Sequence, residues 1–178
     1  MQGVAAAESN DVPVRIVPFK ARHAPGFFEL NRAWLAQHDL WEAPDAEELG
    51  DPQGTIVAAG GRIYVAERRG IVIGTCAVVP IEHGVMEIRR MAVHAEWQRL
   101  GIGRRLLTRC VGDARRQGAT RIVLISNSRL AGALRLYRKF GFHDAPMPQG
   151  VPYATADVYM ELDFTPATLV SSSLSARS

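Results

Sequence analysis

Residues 85–107 read VMEIRRMAVHAEWQRLGIGRRLL, and the division of this stretch decides the fold. Residues 85–94 are strand-like, and the glycines at 101 and 103 then mark a turn. Beyond it Gly103, Leu106, Leu107, Cys110, Val111 and Ala114 recur at helical spacing, with Gly118 as the stop. Residues 121–125, RIVLI, form a short run that is apolar after its first residue, as suits a central strand. Strand, helix and strand in succession imply a parallel crossover. Such a helix carries Arg104 and Arg105 in its first turn, at the positive end of the macrodipole, where acidic residues are favoured. A glycine turn leaves several backbone N–H groups converging at that same end, so an anion is the natural occupant. Many donors and basic side chains together suit a diphosphate better than one carboxylate. Arginines that merely point to solvent are the alternative.

Outward from this stretch the pattern extends in both directions. Residues 12–19 (VPVRIVPF) alternate in part and contain Pro13 and Pro18, as an edge strand does. Pro25 opens a helix carrying Phe27, Leu30, Trp34 and His38. Residues 39–51 hold six acidic and no basic residues, and predict a short helix and a loop ending at DPQG. Residues 62–69 and 71–80 are strands separated by Gly70, a tight hairpin. With a turn at Gly84 and the strand of 85–94 they form an antiparallel meander. Downstream, Leu130, Ala133, Leu134, Tyr137 and Phe140 make a second helical stripe closed by Gly141. Residues 153–164 (YATADVYMELDF) predict one long last strand, alternating at Val158, Met160, Leu162 and Phe164. The expected fold is α/β (α+β): a mixed, mostly antiparallel sheet of six to seven strands flanked by about four helices.

Composition bounds the function. A chain of 178 residues, 47% hydrophobic and 22% charged, suits one domain. We place it at residues 12–164, between mobile tails at 1–11 and 165–178. A net charge of +3 allows an anionic ligand but falls short of a nucleic-acid binder, and the basic helix of Arg104 to Arg116 lacks aromatic interleaving. Cys76 and Cys110 stand alone in apolar segments, without CxxC or a histidine cluster, which argues against a disulfide framework or a metal site. No apolar run approaches the roughly 18 residues of a membrane span, and residues 1–11 lack a signal peptide's features. A cytoplasmic protein without nucleic-acid or membrane partners is expected. A Rossmann loop fails because Leu106 stands where its third glycine belongs, and no P-loop pattern occurs.

QRLGIG, residues 98–103, is similar to the [QR]xxGx[GA] pyrophosphate loop of the GCN5-related N-acetyltransferase (GNAT) superfamily. EIRRMAVHAEWQRLGIG resembles that superfamily's fourth strand and coenzyme A loop. LISNSRLAGALRLYRKFGF, residues 124–142, resembles its fifth strand and following helix. YATADVYMELDF resembles the YxxAxxxMEL strand of a bacterial subgroup. The resemblance spans about residues 12–164. It implies acetyl-CoA lying in a V-shaped opening between two splayed parallel strands, with no metal. Gln98, Arg99, Leu100, Gly101, Ile102, Gly103 and Arg104 would cradle the pyrophosphate. Met91 and Val93 would pair with the pantetheine through main-chain bonds, and the Val93 N–H would polarise the thioester carbonyl. Asn127 would lie beside the pantetheine. Tyr137 matches the tyrosine that protonates the departing thiolate, and Glu87 a glutamate that serves some members as general base.

The residues themselves leave alternatives. Tyr137 lies on an apolar stripe and reads equally as a core residue, and Asn127 as a plain loop residue. Glu87 shares a face with Met91 and Val93 unless a bulge intervenes, and reads equally as a partner of Arg89 or Arg90. Arg90 stands where the subgroup usually has lysine. The acidic run near Trp34, His38 and Trp41 reads as a seat for a cationic amine or as a solvated helix face. The activity implied is direct acetyl transfer from acetyl-CoA to a primary amine, small or peptidic, in a ternary complex. A non-catalytic CoA-binding sensor or structural protein of the same fold is the alternative. The apolar last strand offers a surface through which two copies could pair.

Overall fold

A computed structural model describes residues 12–164. The expected tails, 1–11 and 165–178, lie outside the described residues. The chain runs through β1 (Arg15–Pro18), α1 (Ala24–Gln37), α2 (Ala43–Gly50), β2 (Arg62–Arg68), β3 (Ile71–Glu82) and β4 (Val85–Val93). It continues through α3 (Ile102–Arg116), β5 (Arg121–Ser126), α4 (Ala131–Phe140), β6 (His143–Ala145) and β7 (Val158–Asp163). The seven strands form one sheet in the order β1-β2-β3-β4-β5-β7-β6, antiparallel except for β4 and β5.

Local chemistry accounts for the elements. Arg69 and Gly70 both have positive φ, 50° and 78°, as the two central residues of a tight hairpin turn require. Helix α3 buries Ile102, Leu106, Leu107, Cys110, Val111 and Ala114 and ends before Gly118, whose φ of 79° breaks the helix. Each fully buried leucine on this stripe stabilises the fold by about 1.5–3 kcal/mol. They meet Cys76, Val78, Met86, Ile88 and the apolar side of α4 in one core on one face of the sheet. On the other face α1, α2 and the turn after it pack Phe27, Leu49 and Ile56 against Ile63, Ala77 and Val79. Among the described residues no helix is long and apolar enough to cross a membrane.

Two expectations are corrected. Residues 153–157 do not belong to the last strand: β7 begins at Val158. Asp157 accepts from the Ser128 N–H and hydroxyl, and Glu42 accepts from the Ala154 and Thr155 N–H groups. These bonds compete with the ladder and hold the segment as a loop. The three-residue β6 pairs with β7 at Tyr159 to Glu161. DPQG does not end the acidic segment's loop. Asp51 accepts from the Gly54 N–H at 2.8 Å and starts a five-residue π-type turn, Gln53–Val57.

Candidate active site

β4 and β5 are paired only from Val85/Arg121 to Ile88/Leu124. Beyond that point they part, and β4 runs on to Val93 bonded to β3 alone. The separation coincides with a bulge: Ala77 pairs with Arg89 and Thr75 with Ala92, so β4 carries one extra residue. Arg90 takes up the excess with φ of 52°. The bulge also settles which side chains face which way. Glu87 and Arg89 lie opposite Val79 and Ala77, on the α1 and α2 face, whereas Met91 and Val93 join the core of α3 and α4. Period-2 alternation would have put Glu87 with Met91 and Val93. The extra residue at Arg90 reverses the order.

The end of β4 presents its backbone to the gap. His94 donates its N–H to the Ile73 carbonyl at 2.9 Å, which makes His94 and Ile73 a hydrogen-bonded pair. Val93 and Gly74 are then the non-bonded pair, and both main-chain groups of Val93 point away from β3. The Gln98 side chain donates to the Val93 carbonyl at 3.0 Å, leaving the Val93 N–H turned into the opening.

Just beyond lies the glycine turn. Arg99 and Gly101 adopt left-handed conformations, with φ of 62° and 76°. Among the described residues no acceptor is met by the N–H groups of residues 99–104, whereas Arg105 already donates to the Gly101 carbonyl. A Cβ on Gly103 would meet the Met91 methyl at 3.1 Å, so glycine lets the start of α3 approach β4. The two arginines divide. Arg105 donates to the Val14 carbonyl at 3.0 Å, while Arg104 lines a cleft of about 480 Å³. The cleft's opposite wall escaped sequence reasoning. It is the N-terminus of α4, residues 131–133, flanked by Arg129 and Arg135. The signal was the run Ala131-Gly132-Ala133, small residues that admit close approach. Two helix N-termini, unclaimed amides and four arginines (99, 104, 129 and 135) form a cradle that fits a diphosphate-bearing ligand.

A second cavity, of about 140 Å³, adjoins the first and shares Trp34, Met91 and Leu130 with it. Glu87, Asn127 and Tyr137 all line this cavity. Tyr137 is 6% exposed, its ring lies edge-on to Phe142, and its hydroxyl bonds to no described residue. Burial pushes that phenol well above its ordinary range. Glu87 accepts from Arg89 at 2.7 Å. Asn127 is engaged on both sides of its amide, donating to the Thr155 carbonyl and accepting from the Arg129 N–H at 2.9 Å.

The acidic run is neither a bare amine seat nor a solvated face. Asp45 and Glu48 hold Arg90, Glu48 also holds Arg89, and Glu42 grips Ala154, Thr155 and the Thr155 hydroxyl. Arg90 further donates to the Tyr153 hydroxyl at 2.9 Å. Away from the cavity, His143, Glu161 and Asp163 bring three ligand-type atoms within 4.8 Å, but Arg121 already bridges the two carboxylates.

The sheet is split at its parallel pair with an anion cradle at the mouth, and comparison with known proteins gives this arrangement a family. The sequence model for the acetyltransferase (GNAT) domain matches residues 59–144. The IAA acetyltransferase of Azospirillum brasilense is 37% identical over 107 residues, 60% of this chain and 69% of that protein. Other curated matches are rat N-acetyltransferases, of which the chain spans about half the length. A GNAT acetyltransferase from Staphylococcus aureus Mu50 superposes with a TM-score of 0.77 at 16% identity, covering 85% of this chain and 99% of that one. The yncA protein of Salmonella typhimurium, solved with acetyl-CoA, gives 0.69 at 25% identity, covering 85% and 94%. The chain belongs to the GNAT acetyltransferase family.

Proposed function

We propose that residues 12–164 are a single N-acetyltransferase domain that moves an acetyl group from acetyl-CoA directly to a primary amine in a ternary complex. The observation that carries this reading is the Val93 N–H, turned into the gap where β4 leaves β5, in the larger cleft that adjoins the smaller cavity. Acetyl-CoA supplies the acetyl group already activated as a thioester. The amides of Leu100 to Gly103, with Arg99 and Arg104, hold the pyrophosphate, and Gln98 fixes the strand end beside it. Met91 and Val93 align the pantetheine arm along the open strand edge, and Asn127 braces the loop opposite. The Val93 N–H stabilises negative charge developing on the carbonyl oxygen, from a fixed backbone position that needs no reorganisation. Glu87 accepts the proton that the ammonium must lose, and Tyr137, kept protonated by burial, returns one to the leaving sulfur.

Nothing in the site reads as a covalent nucleophile. Cys76 and Cys110 are both fully buried, and burial pushes the Cys110 thiol well up, which disfavours the thiolate. Initial rates varied in both substrates test the direct route. Intersecting reciprocal plots are expected, with no acetylated protein by mass spectrometry. Parallel plots with a trapped acetyl-enzyme would contradict it.

A further inference from the structure

The cavity on the acceptor side limits what amine can enter. Its lining includes Trp34, Leu35, Leu40, Ile125 and Leu130, together with Tyr153. The cavity is about 140 Å³ and adjoins the larger cleft, from which the acetyl group reaches it. Cavities of about 150 Å³ accommodate a benzene ring. Tyr153 and its neighbours are fixed by Arg90, Glu42, Asn127 and Ser128, so that wall cannot retreat without breaking these bonds.

Charge narrows the choice further. Asp45, Glu87, Arg89 and Arg90 line the same cavity, and with Glu48 they set three carboxylates against two guanidinium groups. One net negative charge remains, on side chains that are mostly buried. A single ammonium neutralises it. A substrate carboxylate would enter a region already negative, where both guanidinium groups are held by carboxylates. The second ammonium of a polyamine would find no net negative charge left to neutralise.

We infer that the acceptor is a compact primary monoamine with an aromatic or branched aliphatic body, docked with its ammonium against Glu87. This rests on the acetyl-transfer reading above. The test is free-thiol release from acetyl-CoA by the full chain, with benzylamine, isoamylamine, phenylalanine, spermidine and an alanyl peptide as acceptors. Benzylamine or isoamylamine should exceed the other three in kcat/KM by at least about tenfold, equivalent to about 1.4 kcal/mol. Preference for phenylalanine, spermidine or the peptide would overturn the acceptor class and leave acetyl transfer standing. No release with any amine, although acetyl-CoA binds, would overturn both. Ile125→Phe, which narrows the cavity, should lower kcat/KM for benzylamine about tenfold or more while the KM for acetyl-CoA holds. Unchanged benzylamine turnover in that variant would also overturn the inference.

Discussion

The Thr75 hydroxyl donates to the Arg90 carbonyl over 2.8 Å, at the point where β4 carries its extra residue. Asn31 donates its side-chain N–H to the same hydroxyl oxygen at 3.1 Å and to the Phe27 carbonyl at 2.9 Å. A non-glycine residue in the left-handed region costs about 1–3 kcal/mol and persists only where its surroundings hold it. Helix α1, strand β3 and the bulge are therefore one bonded unit, and the bulge aims the end of β4 into the cleft.

Thr75→Val keeps the shape and removes both bonds, leaving a buried carbonyl and a buried amide short of a partner. A stability loss of about 1–3 kcal/mol in denaturant unfolding is expected. Turnover should fall by more than the loss of folded protein explains, and Thr75→Ser should restore both. Full activity in Thr75→Val would detach the bulge from catalysis.

Arg104 and Arg105 are adjacent and should behave differently. Arg104→Ala should raise the KM for acetyl-CoA by about tenfold, the loss of one charge-assisted contact. Arg105 spends its guanidinium on the Val14 carbonyl, so Arg105→Ala should leave that KM within about twofold. Equal effects would show that the side chains share the pyrophosphate.

Tyr137→Phe should lower kcat by about a hundredfold or more, the usual contribution of a general acid, with acetyl-CoA affinity retained. Burial raises the phenol above its ordinary value of 10.0, so the proton-bearing form persists on the alkaline side of that value. The pH profile of kcat should show no fall attributable to Tyr137 below pH 10.0. A descending limb near neutrality that Tyr137→Phe abolishes would contradict this role.

Glu67 supplies a pH test of stability remote from chemistry. Burial works to raise its pKa, but bonds from His23, Arg15 and Arg22 outweigh it, and the net shift is downward from 4.5. A lowered carboxylate contributes stability that is fully present above its unfolded value and lost as pH falls through the folded one. Melting curves should show stability declining below about pH 4.5, and Glu67→Gln should flatten that decline. An unchanged slope would place the acid sensitivity elsewhere.

What could be read from the sequence was local. The stripe from Gly103 to Ala114, the hairpin at Gly70 and the turn at Gly101 each lie within a few residues of their cause. The bulge did not show, because its cause is distant: Thr75 lies 15 residues from Arg90, and Asn31 lies 44 from Thr75. The acidic run misled for the same reason, since Asp45 and Glu48 meet their arginines across more than 40 residues. Tyr153 to Asp157 looked like strand because alternation ignores the side chains of Glu42 and Ser128 that capture it. Glu87, Asn127 and Tyr137 could be singled out in the sequence as candidates. That they line one cavity follows only from the split between β4 and β5.

The central claim is that this split holds acetyl-CoA and an amine together, and product analysis tests it most directly. The full chain is incubated with acetyl-CoA and benzylamine or isoamylamine, with thiol release and N-acetylated amine quantified by mass spectrometry. Thiol and N-acetylamine should form in equal amounts, both dependent on the amine and both lost in Tyr137→Phe. Tight binding of acetyl-CoA with no N-acetylated product from any primary amine would contradict the account and leave a CoA-binding protein without transfer.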